Sequence, residues 1–493
     1  MEKVAIIELN EVGVKLSFFK VSDGKSQLCL TKEQYFPVGK EIESEELLSP
    51  KTKTDILNIL KIYRKMIESF GTSKIVSFAD NVFTKARNYK GFLDEIYNNT
   101  GLNFTILSDE EYMKSLFSSV VASIDNAKGV FLYIGAYTSY LVKYNRRVIL
   151  GSVAIPVGRN NVASDGESMD SVAKTFKKVV VESGALDLIE EECKVVGVGK
   201  AFVSLGKIAK KISRYPLDID NNYTISLETI GETYDFIKSL DREKIRKIKG
   251  VGNDDADQIA NGVAMIKSAV EAIRANEITI STANVRDGQL AQNMIVSQER
   301  FNDLLANSLD NWYEFSKDEF SINDDVYNMS LILFKQLKVM HKLPRYYVKP
   351  LRIAAFMYDA GKCINAEEYT KYSVDKIVYS GIAGATHREL LIAGFIALCQ
   401  NLDDFSLNEW IKYKDIVTEE DLDAVRKLGV IVKLAVALNA SRKPVIQDIV
   451  CDILGDSIIM KTVAETDVTL EIIEGMKVAQ DYRKVYKKSL QII

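Results

Sequence analysis

Histidine is nearly missing from this chain: His341 and His387 are the only two among 493 residues. A multi-histidine zinc or iron centre is therefore excluded by arithmetic, and each lone histidine reads as a packing or surface residue. Cysteine is scarce as well. Cys29, Cys193, Cys363, Cys399 and Cys451 are odd in number, far apart and without a CxxC pair, which excludes a zinc ribbon and a disulfide framework and suggests reduced, buried small hydrophobes. Seven prolines leave few breaks, and no low-complexity linker separates the parts. There is no excess of positive charge either: 64 Lys and Arg stand against 68 Asp and Glu, for a net charge of -4. No global field draws the chain to nucleic acid, to a membrane surface or to any polyanion. No apolar run is long enough for a bilayer, and the acids within MEKVAIIELNEV speak against a signal peptide. The expectation is a cytoplasmic protein with neither membrane nor nucleic-acid partners.

What is present is enough apolar material, 47% of the residues, for two to four domains. The first part alternates strand and helix patterns. Strands are expected near 3–8, 12–20 and 27–36, a helix at 52–69, a strand at 74–79, a helix at 89–99, then a strand FTIL and a helix from Ser108. A second round follows, with hairpin strands at 129–142 and 147–155, a helix near 167–183, the strand KVVGVG and a helix from Lys200. Two such rounds predict a duplicated α/β domain with a cleft between its halves. Beyond about residue 300 the pattern changes to amphipathic helices at 324–340, 346–360, 366–379, 387–400 and 419–440. Strand-like alternation returns at 444–469, before a last helix at 470–488.

The segment FLYIGAYTSYLV at 131–142 has the shape of a phosphate-cradling hairpin. A working loop of that kind needs bare backbone N–H groups and a carboxylate at the strand end. Tyr133 and Tyr137 occupy those places. With IIELNEVGVKL at 6–16, PVG at 37–39, the string from Ser77 to Tyr112, VAIPVGRNN, VGVGKAF, ANGVAMI and ITISTANVRDGQL, the chain resembles the exopolyphosphatase/guanosine pentaphosphate phosphatase (Ppx/GppA) family. The resemblance implies an actin-like (ribonuclease H-like, sugar kinase/Hsp70/actin) duplicated α/β domain followed by a mostly helical HD-like region. It divides the chain into actin-like subdomains at 1–128 and 129–300, a degenerate HD-like helical domain at 301–402 and an α+β domain at 403–493.

The resemblance also implies chemistry in which a glutamate and the loop aspartate activate water and hold Mg²⁺ while glycine-rich loops bind the phosphoryl group. Carried over residue by residue, Glu111 is the candidate base with Glu110 beside it, and Glu8 the candidate metal ligand. Gly13, Lys15, Gly135, Thr138, Ser139, Arg159, Gly197, Gly199, Lys200 and Arg286 are candidate phosphate-binding positions, while Lys85 and Arg87 are further basic groups near the first loops. Several landmarks are altered. Tyr133 stands at the loop aspartate, Tyr137 at a glycine, and Glu11 puts a negative charge in the first loop. In RIAAFMYDAGKCI, Tyr358 stands at the HD histidine with Asp359 kept, and Tyr372 stands at a further metal-site histidine; these and Tyr369 read as helix-packing aromatics. Ser108 and Glu111 also form a capping box, which alone explains the glutamate. The expected protein is a degenerate member with a binding or regulatory role and no required cofactor. The alternative is an active, Mg²⁺-dependent exopolyphosphatase or pppGpp phosphohydrolase using Glu111. An actin-fold kinase is disfavoured, because the first loop lacks a Gly-rich pattern. Polyphosphate or a guanosine polyphosphate is the implied ligand, and a homodimer the implied assembly.

Overall fold

The computed structural model describes residues 1–164, 166–189, 193–248, 256–294, 303–316 and 324–493, and the chain divides into two compact units, Met1–Leu304 and Leu305–Ile493. In the first unit, strand β1 (Glu2–Asn10) alternates two buried faces: Val4 and Ile6 belong to one core, Ala5, Ile7 and Leu9 to another. A strand buried on both sides needs a layer on each. β1 pairs antiparallel with β2 (Gly13–Ser22), which pairs antiparallel with β3 (Lys25–Tyr35). On its other edge β1 runs parallel to β4 (Lys74–Ala79), and β4 to β5 (Thr105–Ile106), giving the order β3-β2-β1-β4-β5.

The second sheet contains β6 (Lys128–Ile134), β7 (Ser139–Asn145), β8 (Val148–Ile155), β9 (Val195–Val198), β10 (Tyr223–Ser226) and β11 (Glu277–Ser281), in the order β10-β11-β9-β6-β7-β8. Without the edge strand β10 it repeats the first sheet strand for strand: β6 pairs antiparallel with β7, β7 antiparallel with β8, β6 parallel with β9 and β9 parallel with β11. The duplicated α/β architecture read from the sequence is therefore the observed one.

Helices Asp109–Val121 and Val285–Asn293 lie between the two sheets. They share a core with Ile6, Phe19, Phe78, Phe131 and Val198. Helices Pro50–Phe70 and Tyr89–Thr100 cover the far face of the first sheet, and Met169–Glu182, Lys200–Ile212 and Ala256–Ile273 that of the second. Among the elements not foreseen are β10, β11, helix Leu227–Lys238, helix Arg242–Arg246, helix Val285–Asn293 and helix Val38–Glu45. The last has no side-chain cap and is only eight residues long, four of them charged, too short to stand out as a helix in sequence.

The second unit is built on helices Asp324–Gln336, Val348–Met357, Tyr369–Val378, His387–Leu398 and Glu419–Ala437. A three-stranded sheet follows, with β12 (Ile446–Ile453), β13 (Ser457–Ala464) and β14 (Ser489–Ile492) in that order. The predicted last helix is broken at Val478 into Thr469–Lys477 and Ala479–Tyr486, and β14 after it was not expected. Asp421 is fully buried here and accepts hydrogen bonds at 2.5 Å from both Tyr347 Oη and Arg388 Nη2. His341 is a packing residue as expected: it is buried, its Nδ1 accepts from the Leu343 amide, and its other ring nitrogen lies 2.7 Å from the Phe334 carbonyl oxygen. The cysteine expectation needs correction, because only Cys399 is buried while Cys29 and Cys363 are exposed. Among the described residues, no helix is long and apolar enough to cross a membrane.

Candidate functional site

In open α/β sheets ligands bind outside the carboxyl ends of the parallel strands, where connections leave on opposite sides. Four such ends meet in the first unit: the turn after β1, Asp80 after β4, the turn after β6 and Gly199 after β9. After β1 the chain is held by Asn10, whose Oδ1 accepts from the Val12 amide at 3.0 Å while its Nδ2 donates to Glu8 Oε1 at 2.9 Å. Gly13 follows with φ 148°, and a β-carbon there would fall on the backbone of Gln34. This turn projects Glu11 across the cleft. Glu11 Oε1 accepts from the Ala136 amide at 2.8 Å, and the Tyr137 amide also donates to the carboxylate.

Those two amides belong to the turn between β6 and β7. Successive N–H groups in such a turn form a concave anion nest. The turn itself is fixed: the Gly135 amide donates to the Thr138 carbonyl, the Arg159 amide to the Gly135 carbonyl and the Asn160 amide to the Ala136 carbonyl. A carboxyl group of the chain's own thus occupies this concave turn. Burial pushes the Glu11 carboxyl up from an ordinary 4.5 to about 7, opposed by the two amides and by Arg159 and Lys85.

Beside this contact lies a cavity of about 70 Å³ bounded by Glu11, Asp80, Asp109 and the rings of Tyr112, Tyr133 and Tyr140, with Lys85 also on its wall. Asp80 is nine-tenths buried and its Oδ1 has no hydrogen-bond partner. Burial raises its carboxyl well above the usual range, and Glu8, Glu11 and Asp109 raise it further. The phenols form one cluster, with ring centroids 5.8–6.2 Å apart. Tyr112 and Tyr133 share a hydroxyl–hydroxyl bond of 3.2 Å, and Tyr140 Oη donates to Asp109 Oδ1 at 3.2 Å. Burial pushes all three phenols up, so they stay neutral at pH 7.

The predicted site residues fall into three groups. Glu8, Gly135 and Thr138 lie at the cleft, and Gly199, at φ 100°, lets the chain pass under the Tyr133 ring. Tyr137 lies with its ring against Gly39, leaving no room there for a β-carbon. Arg159 is buried beside them, acting on Glu11 and Tyr133.

Other predicted residues serve local structure. Ser139 Oγ donates to the Val157 carbonyl, and Gly197 makes room for the Phe202 ring. Arg286 Nη1 bonds Ser17 and Thr31 in mid-strand while its Nε bonds Asp287. Lys15 lies across the strands from Glu8 and Glu33, Lys200 Nζ sits 5.1 Å over the Tyr35 ring, and Arg87 reaches Glu46 at 3.6 Å.

Glu111 and Glu110 are a third case, lying on the first turn of helix Asp109–Val121 and not on the cavity wall. Glu111 is exposed, and one of its oxygens takes both the Ser108 amide and the Ser108 hydroxyl at 2.8 Å. These bonds hold its carboxyl below the usual range. Its capping box is present as read. Glu110 pairs with Lys114 along the helix surface.

Sequence reasoning passed over Asp80, Asp109, Tyr112 and Tyr140. Asp80 had a usable signal, since it directly follows a parallel strand. The tyrosines had none, because a strand or helix aromatic is ordinarily core.

The residues present do not fit Mg²⁺. Tyr133 offers a neutral phenol engaged with Tyr112, Glu11 is engaged by backbone amides, and among the described residues no group of three or more acidic, histidine or cysteine side chains could hold a metal ion.

In the second unit, Tyr358 is buried, and Lys362 Nζ lies 3.2 Å from Asp359 and 5.0 Å from the Tyr369 ring centre. Tyr372 is partly buried on helix Tyr369–Val378, whose backbone packs on Gly361.

Several solved structures match over most of their own length. A Ppx/GppA family member from Aquifex aeolicus is 19% identical over 60% of this chain and 98% of its own, with a TM-score of 0.53. An exopolyphosphatase from Cytophaga hutchinsonii is 14% identical over 59% of this chain and 98% of its own, with a TM-score of 0.54. At these identities the likeness establishes the fold. No curated protein gives a match. The model of the Ppx/GppA phosphatase family matches residues 18–296, more than half of the chain, and the chain belongs to that family.

Proposed function

We propose that this chain is a non-hydrolytic member of its family, in which the cleft serves binding or regulation instead of phosphate release. The observation that carries this reading is the bond from the Ala136 amide to Glu11 Oε1. The backbone donors that would stabilise a phosphoryl oxygen are already taken, and by a group of the same sign. Once ionised, a carboxylate about 4 Å from a phosphate oxygen repels it by roughly 4 kcal/mol at an effective dielectric near 20. The raised Glu11 carboxyl has the profile of a general base, yet a base must stand beside its bound substrate, and this one stands in the substrate's place. Glu111 is ill suited to the role, being exposed, tied to Ser108 and off the cavity wall.

The second unit supports a parallel reading. Taken as a degenerate HD-like domain, it has the Lys362 ammonium against Asp359, in the place of a metal. The test is release of orthophosphate from long-chain polyphosphate and from pppGpp in the presence of Mg²⁺, with Glu111→Ala as control. No release above the blank is expected from either protein. Mg²⁺-dependent turnover lost in Glu111→Ala would favour the active alternative.

A further inference from the structure

Carboxylates converge on the cavity, and the chain does not fully compensate them. Glu8 on β1, Glu11 on the first turn and Asp109 at the start of its helix all act on Asp80 after β4. The nearby cations are Arg159, and Lys85, an exposed residue on the cavity wall. Asp80 supplies the independent sign of a missing partner, since its Oδ1 is buried without any hydrogen bond. A buried carboxylate oxygen in that state is strongly disfavoured unless a donor arrives. Most of the remaining wall is tyrosine rings and hydroxyls, with Asn81 and Val82 beside them; ring faces and oxygen lone pairs attract a cation. A divalent metal suits this geometry poorly, because no three of the acids come together as ligands among the described residues. A primary ammonium suits it better: three N–H donors on a compact charge can reach separated oxygens, and one such head fits a cavity of about 70 Å³.

We propose that the cleft binds a primary ammonium group, on a small amine or at the tip of a lysine side chain, between Asp80, Asp109 and the rings of Tyr112, Tyr133 and Tyr140. The inference extends the non-hydrolytic reading, and it is read by binding instead of phosphate release, so the two can fail separately. The groups facing Asp80 that titrate or carry charge are Glu8, Glu11, Asp109, Lys85, Arg159, Tyr112, Tyr133 and Tyr140. A cation entering beside the raised Asp80 carboxyl displaces its proton, so affinity rises with pH.

The experiment is calorimetry on the full chain at low salt, with putrescine, 1,4-butanediol as its neutral counterpart, Nα-acetyl-lysine amide, Mg²⁺ and tripolyphosphate. Putrescine is expected to bind and butanediol not. Binding of the lysine amide as well would support access by a protein side chain, and its failure would support a free amine. Asp80→Asn is expected to weaken putrescine about tenfold or more, the scale of one charged hydrogen bond. Should that variant not fold, Lys85→Ala at the exposed wall position is expected to tighten putrescine several-fold by removing a competing charge. The proposal is overturned if putrescine gives no heat, if butanediol binds equally, if Asp80→Asn folds and binds unchanged, if Lys85→Ala binds no tighter, or if only Mg²⁺ or tripolyphosphate binds.

Discussion

At the scale of single residues, Glu11 decides the character of the cleft. Its side chain is long enough to cross from the turn after β1 to the amides after β6, and once there it cannot be solvated as a surface carboxylate is. A carboxyl raised from 4.5 to about 7 in the fold keeps a proton that the unfolded chain has already lost between those values. Unfolding then releases a proton, and stability falls as pH rises through that window. At face value the shift is worth on the order of 3 kcal/mol. Glu11→Gln keeps an acceptor for Ala136 and removes the titration. Urea unfolding from pH 5 to 8 is expected to show the variant gaining on wild type by a few kcal/mol toward pH 8, whereas parallel curves would refute the assignment. Part of this was legible in the sequence: Glu11 stood out as a negative charge in the first loop. Its partner was not, because the Ala136 amide is 125 residues away and only the folded chain brings them together.

At the scale of elements, the start of helix Asp109–Val121 separates structure from function. Asp109, Glu110 and Glu111 stand in its first turn, where the N–H groups and the helix dipole favour negative charge. Asp109 turns toward the tyrosines, Glu110 to Lys114 and Glu111 back to Ser108. Ser108→Ala is expected to cost about 1 kcal/mol through loss of the cap, checked by the shift of the urea midpoint, with ligand binding in the cleft unchanged. The capping box was readable because its spacing is local. Strands with two apolar faces were readable for the same reason, as the match of β4 to the predicted 74–79 shows. Short edge elements such as β10 and β14, at four residues each, have too little periodicity to stand out, and tertiary pairing alone makes them strands.

At the scale of the whole molecule, the repeated topology sets the stage and the side chains of its turns set the outcome. The two sheets repeat one topology, so two strand-end turns face each other in the first unit. The first carries an acid, Glu11, and the second offers it backbone amides between Tyr133 and Tyr137. The tyrosines were legible as departures from a phosphate loop. Their joining with Tyr112 and Tyr140 into one cluster, and the buried Asp80, depend on the packing of the helix between the sheets.

The central claim is that a carboxylate of the chain holds the anion position. The most direct measurement is binding of tripolyphosphate by calorimetry to wild type and to Glu11→Ser, a substitution that removes the carboxyl from the Ala136 and Tyr137 amides. The account predicts no binding by wild type and measurable binding by Glu11→Ser. Tight binding by wild type that Glu11→Ser leaves unchanged or weakens would contradict it.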